Sequence, residues 1–243
     1  MKNICDLHTH SVLSKHAYSS LTENIEYANS LGLKYYGIAD HQYDSKDVGV
    51  HRYAIENLRV VPRVYNGTHI LRGVEVNMLN DGSIDLIDPC RMNIDYAVCS
   101  LHKYAYGENL GIEKNTENYL KALDDKIVRI LGHIDSDLFK CDYERVILKV
   151  IDKHKLVEIN NSSLDPKGCR KNSRKNAISI LEVCKKYNYP VILNSDAHIK
   201  YAIGNVDYCL DVVREVDFPI EKILNFNEEL FLEYFGDIIN KEA

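Results

Sequence analysis

Seven short apolar runs recur along this chain, separated by longer amphipathic stretches. They are Ile4–Leu7, Tyr36–Ala39, Ile70–Val76, Tyr96–Leu101, Arg129–Leu131, Leu156–Ile159 and Val191–Asn194. Runs this short, alternating with helical patterns, read as buried strands of βα units around a parallel sheet. The first helix opens on a capping box at Ser20 and Glu23, with Gly32 where a C-terminal cap belongs. Further helices are expected over Glu117–Leu123, Tyr143–His154, Arg174–Tyr187, Val206–Val216 and Ile220–Asn225. The amphipathic tail Glu228–Phe235 is expected to dock on the barrel that such units form.

Nine residues with metal-binding side chains sit at the ends of these runs or just beyond them. His8 and His10 follow the first run, with His16 in the loop after it. His41 follows the second, and Glu75 lies near the end of the third. His102 follows the fourth, His133 the fifth, and Asp196 and His198 the seventh. In a closed parallel barrel those ends converge on one face, where barrel active sites are built. In extended backbone, the spacing of His8 and His10 points both imidazoles to one side and turns Thr9 away. Asp196 and His198 repeat that spacing. Imidazole with carboxylate suits Zn²⁺, Mn²⁺ or Fe²⁺. Nine donors exceed what one tetrahedral zinc can use, and with Glu75 bridging they suffice for two or three ions.

Taken singly, each motif has a bland reading. His41 after Asp40 would serve as a helix cap, and Glu75 as a salt-bridge partner. The common placement argues for a metal centre. Three histidines stand apart: His154 reads as a helix-terminus residue facing the dipole, His69 as part of a turn with Gly67, and His51 as a residue facing substrate.

Composition narrows the partners. The chain has 243 residues, 45% hydrophobic, enough for one sizeable core. A net charge of -6 and a pI near 5.9 give long nucleic acid or anionic membrane no bulk attraction. A small anionic substrate would need its own local cations. No signal-peptide pattern opens the chain, and no apolar run approaches the ~20 residues of a membrane span. The cysteine count is 7, with no C-x-x-C, so reduced thiols in a cytoplasmic protein are expected, Cys5 and Cys99 in the core.

The ordered motifs resemble a family. H-T-H at His8–His10, His16, A-D-H at Ala39–His41, G-V-E at Gly73–Glu75, His102, G-H at Gly132–His133 and S-D-A-H at Ser195–His198 look like the PHP (polymerase and histidinol phosphatase) superfamily. The stretches His16–Ser19, Pro62–Arg63, Leu71–Gly73, Glu158–Ser163 and Val216–Pro219 are similar to its YcdX-type phosphatases. The resemblance covers nearly the whole chain. It implies one α/β domain over residues 1–243, a distorted TIM-like (β/α)7 barrel with the metal site at the C-terminal strand ends. It also implies three divalent ions, zinc foremost, with manganese or iron as alternatives. One ion would take His8, His10, Glu75 and Asp196; a second would share Glu75 and add His102 and His133; a third would take His16, His41 and His198. The YcdX type further hints at a homo-oligomer, a trimer. Two departures stand out. Ile134–Asp135 follows His133 where relatives commonly have proline, and the basic loop Leu164–Lys175 lacks the S-R-K-G-S arrangement of those phosphatases.

The expected reaction is hydrolysis of small phosphomonoesters by a metal-bridging hydroxide. Glu75, Asp196 and His198 would be catalytic, Asp196 or His198 steering the nucleophile's proton. Lys167, Arg170 and Arg174, with Lys171 and Lys175 in the same loop, and His51 or Arg52 would hold the phosphate. Asn160, Asn161 and Glu158 are expected behind the ligands or in structural roles. Rival readings are a histidinol phosphatase, a phosphoesterase of nucleotides or nucleic-acid ends, an amidohydrolase and a non-catalytic metal-binding module. Against the amidohydrolase stand seven strands rather than eight and Leu101–His102, rather than a lysine, at the end of the fourth.

Overall fold

The computed structural model describes residues 2–42, 49–168 and 170–240. Its strands are β1 (Cys5–Asp6), β2 (Tyr35–Ile38), β3 (Val64–Tyr65), β4 (Thr68–Asn77), β5 (Tyr96–Ser100), β6 (Val128–Leu131), β7 (Leu156–Asn160) and β8 (Ile192–Asn194). Seven run parallel in the order β1-β2-β4-β5-β6-β7-β8, each matching an expected run, while β3 pairs antiparallel with β4. The helices are α1 (Leu21–Ser30), α2 (Arg52–Glu56), α3 (Asp88–Arg91), α4 (Lys103–Tyr106), α5 (Ile112–Ala122), α6 (Tyr143–Asp152), α7 (Ser173–Lys186), α8 (Asp207–Glu215) and α9 (Glu228–Ile239).

The sheet curls into a nearly closed barrel whose seam, between β8 and β1, is sewn largely by side chains. The Leu7 N–H donates to Asn194 Oδ1 (2.9 Å), and the Leu193 N–H to Asn225 Oδ1 (2.8 Å). Ser195 Oγ donates to Asp6 Oδ2 (2.5 Å), and beyond the strands the His10 N–H reaches Ala197 O (2.8 Å). Two apolar layers result. One lies between sheet and helices. The other fills the barrel and includes Leu7, Leu71, Tyr96, Val98 and Ile130, with Phe231, Tyr234, Phe235 and Ile238 of α9 closing its floor. Tyr96 spans this interior, its hydroxyl near Leu7 O (2.8 Å) and Ile38 O (3.1 Å). The expected docking of the tail is thus a plug at the end opposite the metal-ligand candidates.

Local chemistry explains the boundaries. Ser20 and Glu23 form the capping box of α1, and Gly32 (φ 70°) ends it, Leu33 N–H bonding back to Ala28 O (3.1 Å). α5 begins earlier than expected, at Ile112. Its first turns carry Asn115 and Thr116, polar in sequence but buried in hydrogen bonds with Tyr106 and the Asp142 N–H. The helix expected over Ile220–Asn225 is instead two single 3₁₀ turns. Between them Ile223 is extended and bridges Val191, which keeps this segment against the sheet edge. His69 is not in a turn. Asn66 and Gly67, both at positive φ, make the hairpin turn, and His69 already pairs within β4. His154 follows the C-cap of α6 and stacks on Tyr234 at 4.3 Å. The six described cysteines are buried and unpaired; Cys169 lies outside the described residues.

Candidate metal centre

The β1 strand ends at Asp6, and the chain continues extended, so His8 and His10 face the barrel mouth together. Thr9 turns the other way, 2.7 Å from the Tyr36 hydroxyl and donating to Gly37 O (2.9 Å). Asp40 fixes the following loop by accepting from the Ser11 N–H (2.7 Å), Ser11 Oγ (2.7 Å) and Ser14 Oγ (2.6 Å). Asp40 is thus the tether that holds this loop against the mouth of the barrel. That loop carries His16 back over the site, its Nε2 lying 2.7 Å from Nε2 of His198. His133 (φ 30°) and Asp196 (φ 54°) both adopt left-handed backbone. This conformation is costly for non-glycine residues and concentrates at functional sites.

Glu75 lies at the centre. Its Oε1 is 3.0 Å from His133 Nε2, 3.3 Å from His8 Nε2 and 3.5 Å from His102 Nε2. Its Oε2 is 2.8 Å from His41 Nδ1 and 3.6 Å from His10 Nε2. Asp196 Oδ1 stands 3.1 Å from His10 Nε2, 3.8 Å from His8 Nε2 and 3.7 Å from His198 Nδ1. All nine candidates thus gather at one mouth. His16 is exposed, His102 and His198 are half-buried, and the other six are buried.

The donors fit bound cations. His8 Nε2, His41 Nδ1 and Glu75 Oε2 are all buried without a hydrogen bond, a costly arrangement in protein alone. His41 Nδ1 and Glu75 Oε2 are close, yet misaligned for a hydrogen bond, as donor atoms aimed at a shared ion would be. Three trios hold donor atoms within 4.8 Å of one another: His10–His41–His198, His8–His10–Glu75 and His41–Glu75–His102. The His8–His10–Glu75 trio falls within the first set implied by the resemblance, while the other two bring His10 and His41 together with donors of another set.

Electrostatics follow from that crowding. Burial pushes the Glu75 carboxyl up, but His41, His102 and His8 outweigh it and hold the group well below its usual range. Asp196 is likewise low: burial raises it, and His8, His10 and Arg170 pull it further down. Burial, with His41 nearby, pushes His10 down to about 3. Burial also depresses His102. Burial lowers His8 too, but Glu158, Glu75 and Asp196 reverse the balance and raise it.

Residues behind the ligands hold them in place. Glu158 Oε1 accepts from His8 Nδ1 (2.8 Å), and its Oε2 from the His133 N–H (2.9 Å) and Asn160 Nδ2 (2.9 Å). Asn160 also donates to Asp196 Oδ2 (3.2 Å), and Asn77 Oδ1 meets His102 Nδ1 at 2.8 Å. Asn161 instead accepts from the Tyr208 N–H (3.0 Å) at the start of α8. Sequence reading missed Asp40, Ser14 and Asn77 in these roles; A-D-H at Ala39–His41 held the one available signal.

The expected phosphate-binding residues divide. Arg170 borders the metal-ligand cavity, its Nη1 2.6 Å from Ser163 Oγ and 3.4 Å from Asp196 Oδ2. Arg174 is engaged by Glu215 of α8 and does not assemble with the ligands. Lys167 is exposed; its backbone N–H bonds Asp165. His51 caps α2 from an exposed position beside Tyr53.

The sequence profile of the PHP domain matches residues 6–165. The chain belongs to the PHP family. Among PHP relatives, a probable phosphatase of Clostridium acetobutylicum is 38% identical over 236 residues, covering 96% of this chain and 95% of its own. A probable phosphatase of Clostridium novyi is 36% identical over 235 residues, with the same coverage. The phosphatase class expected from the sequence agrees with these names. In fold, the chain is similar to the histidinol phosphate phosphatase of Lactococcus lactis, whose crystal structure holds zinc, L-histidinol and phosphate. The TM-score is 0.58 at 16% identity, over 90% of this chain and 95% of that one. No helix among the described residues is long and apolar enough to cross a membrane.

Proposed function

We propose that this PHP protein hydrolyses small phosphomonoesters at a centre of three divalent ions, zinc foremost, with manganese or iron as alternatives. The observation that carries the reading is the ring of imidazoles around Glu75, with buried donor atoms left without hydrogen bonds and Arg170 beside them. Bound ions at such a site supply an acidic water and a positive clamp on phosphoryl oxygens.

The chain's own residues do the rest. His8, His10, His16, His41, Glu75, His102, His133, Asp196 and His198 would supply the donor atoms, with Glu75 the ligand placed to be shared. Arg170 presents its guanidinium to a phosphoryl oxygen, held in place by Ser163 and Asp196. Asp196 stays ionised and accepts a hydrogen bond from the attacking water, orienting it opposite the leaving oxygen. The P–O ester bond breaks, one water proton goes to the leaving oxygen, and alcohol and inorganic phosphate depart. The six described cysteines, all buried and unpaired, fit a reducing compartment such as the cytoplasm.

The test is metal content per protomer with para-nitrophenyl phosphate turnover, in wild type and Glu75→Ala. Two to three equivalents of metal, with turnover lost in the variant, support the proposal. At most one equivalent, with no turnover after zinc or manganese is added, overturns it.

A further inference from the structure

A second cavity, of about 520 Å³, opens beside the ligand cluster and shares His102, His133 and Arg170 with it. A phosphate held at Arg170 and the ligands would direct its leaving group into this space. The walls have two characters. Leu101, Leu138 and Phe139 supply an apolar surface. Lys103, at the start of α4, and Lys171, next to Arg170, are exposed cations on the same lining.

The charge there is unbalanced. Among the described lining residues, Asp137 is the one carboxylate, and it is already satisfied: Lys140 Nζ lies 2.6 Å from it, and Asn172 Nδ2 donates to it at 2.9 Å. Neither Lys103 nor Lys171 has an ion-pair partner among the described residues. A chain with net charge -6 thus keeps two uncompensated cations on the wall of one cavity. An apolar wall with such cations discriminates by charge as well as by size.

We infer that Lys103 and Lys171 select phosphomonoesters whose leaving group carries a second anionic group, a carboxylate or another phosphate, on an apolar body. This specificity rests on the phosphatase reading above. It disfavours cationic leaving groups, the amino alcohol histidinol among them.

The test compares kcat/KM for para-carboxyphenyl phosphate, phenyl phosphate and para-(aminomethyl)phenyl phosphate, in metal-loaded wild type and in Lys103→Met/Lys171→Met. Comparing each ester between enzymes cancels the intrinsic differences among the phenols. The expected result is a preference for the carboxylate ester over the aminomethyl ester in wild type. That ratio should fall about tenfold in the double variant, through KM, given the modest worth of exposed charge pairs. Lys103→Glu/Lys171→Glu should invert it. Turnover of all three esters with an unmoved ratio overturns the specificity and leaves the phosphatase reading standing. An equal fall for all three also overturns it, because the lysines would then serve the phosphate or the fold. No turnover of any ester by wild type overturns both.

Discussion

Glu158 Oε1 lies 2.8 Å from Nδ1 of His8, and neither side chain is exposed to solvent. This contact makes Nδ1 a donor, so that with an ion bound Nε2 would be the lone-pair atom facing Glu75 and Asp196, the tautomer a metal ligand needs. The other oxygen of Glu158 braces the His133 N–H, so one carboxylate orients two candidate ligands.

Glu158→Gln should therefore weaken metal binding without touching an ion directly. The amide keeps the shape but places an N–H₂ against one of the two donors. Metal affinity is expected to fall about 10–100-fold, the usual cost of losing such support. Chelator competition measures it, and circular dichroism should report an unchanged fold. Unaltered affinity would remove Glu158 from this role.

Metal removal should cost stability as well as turnover. Glu75 and Asp196 are buried carboxylates facing a cluster of imidazoles. At free metal about 1,000 times Kd, binding contributes about 4 kcal/mol. For a chain of this length that corresponds to a drop of about 10 °C in melting temperature on chelation. Calorimetry with and without chelator, then with zinc restored, checks it. A melting curve indifferent to chelator would contradict the proposed centre.

Lys155 gives a pH dependence away from the metals. Burial pushes its ammonium down to about 8 from an ordinary 10.5, and its Nζ donates to Asp125 O at 2.6 Å. In the unfolded chain the amine stays protonated to higher pH. Its contribution to stability is therefore unfavourable below about 8 and recovers as pH rises toward 10.5. Relative to Lys155→Met, wild type should gain stability between pH 8 and pH 10. Denaturant melts of both proteins across that window decide it; parallel curves would refute the shift.

Gly73 should tolerate no side chain. A methyl there would overlap the Tyr96 ring and come within 2.5 Å of Ile38 O. Because Tyr96 crosses the barrel interior, it has nowhere to move. Gly73→Ala is expected to destabilise by about 3 kcal/mol, read from urea midpoints. A loss below about 0.5 kcal/mol would show that the interior can repack.

The seven parallel strands and the gathering of the nine candidate ligands were legible because a buried parallel strand is a short apolar run, and because parallel strands end on one face. β3 was not legible: two residues paired to a neighbour leave almost no periodicity. The start of α5 was hidden because Asn115 and Thr116 are buried through hydrogen bonds, which no polarity pattern reveals. The fates of Arg170 and Arg174 could not be separated in sequence. They lie four residues apart in one basic stretch, yet Arg170, before α7, reaches Asp196, while Arg174, in the first turn of α7, meets Glu215 on the outer surface.

α9 follows every strand in chain order, and it supplies the floor of the barrel. Phe231 stacks on Tyr35 at 3.9 Å and on Phe235 at 5.1 Å, under strands laid down much earlier in the sequence. A ribosome releases those strands well before the helix that covers them. The nascent barrel therefore carries an open apolar underside until α9 emerges, and a chain stopped before Phe231 would keep it, leaving a sticky product suited to chaperone capture or degradation.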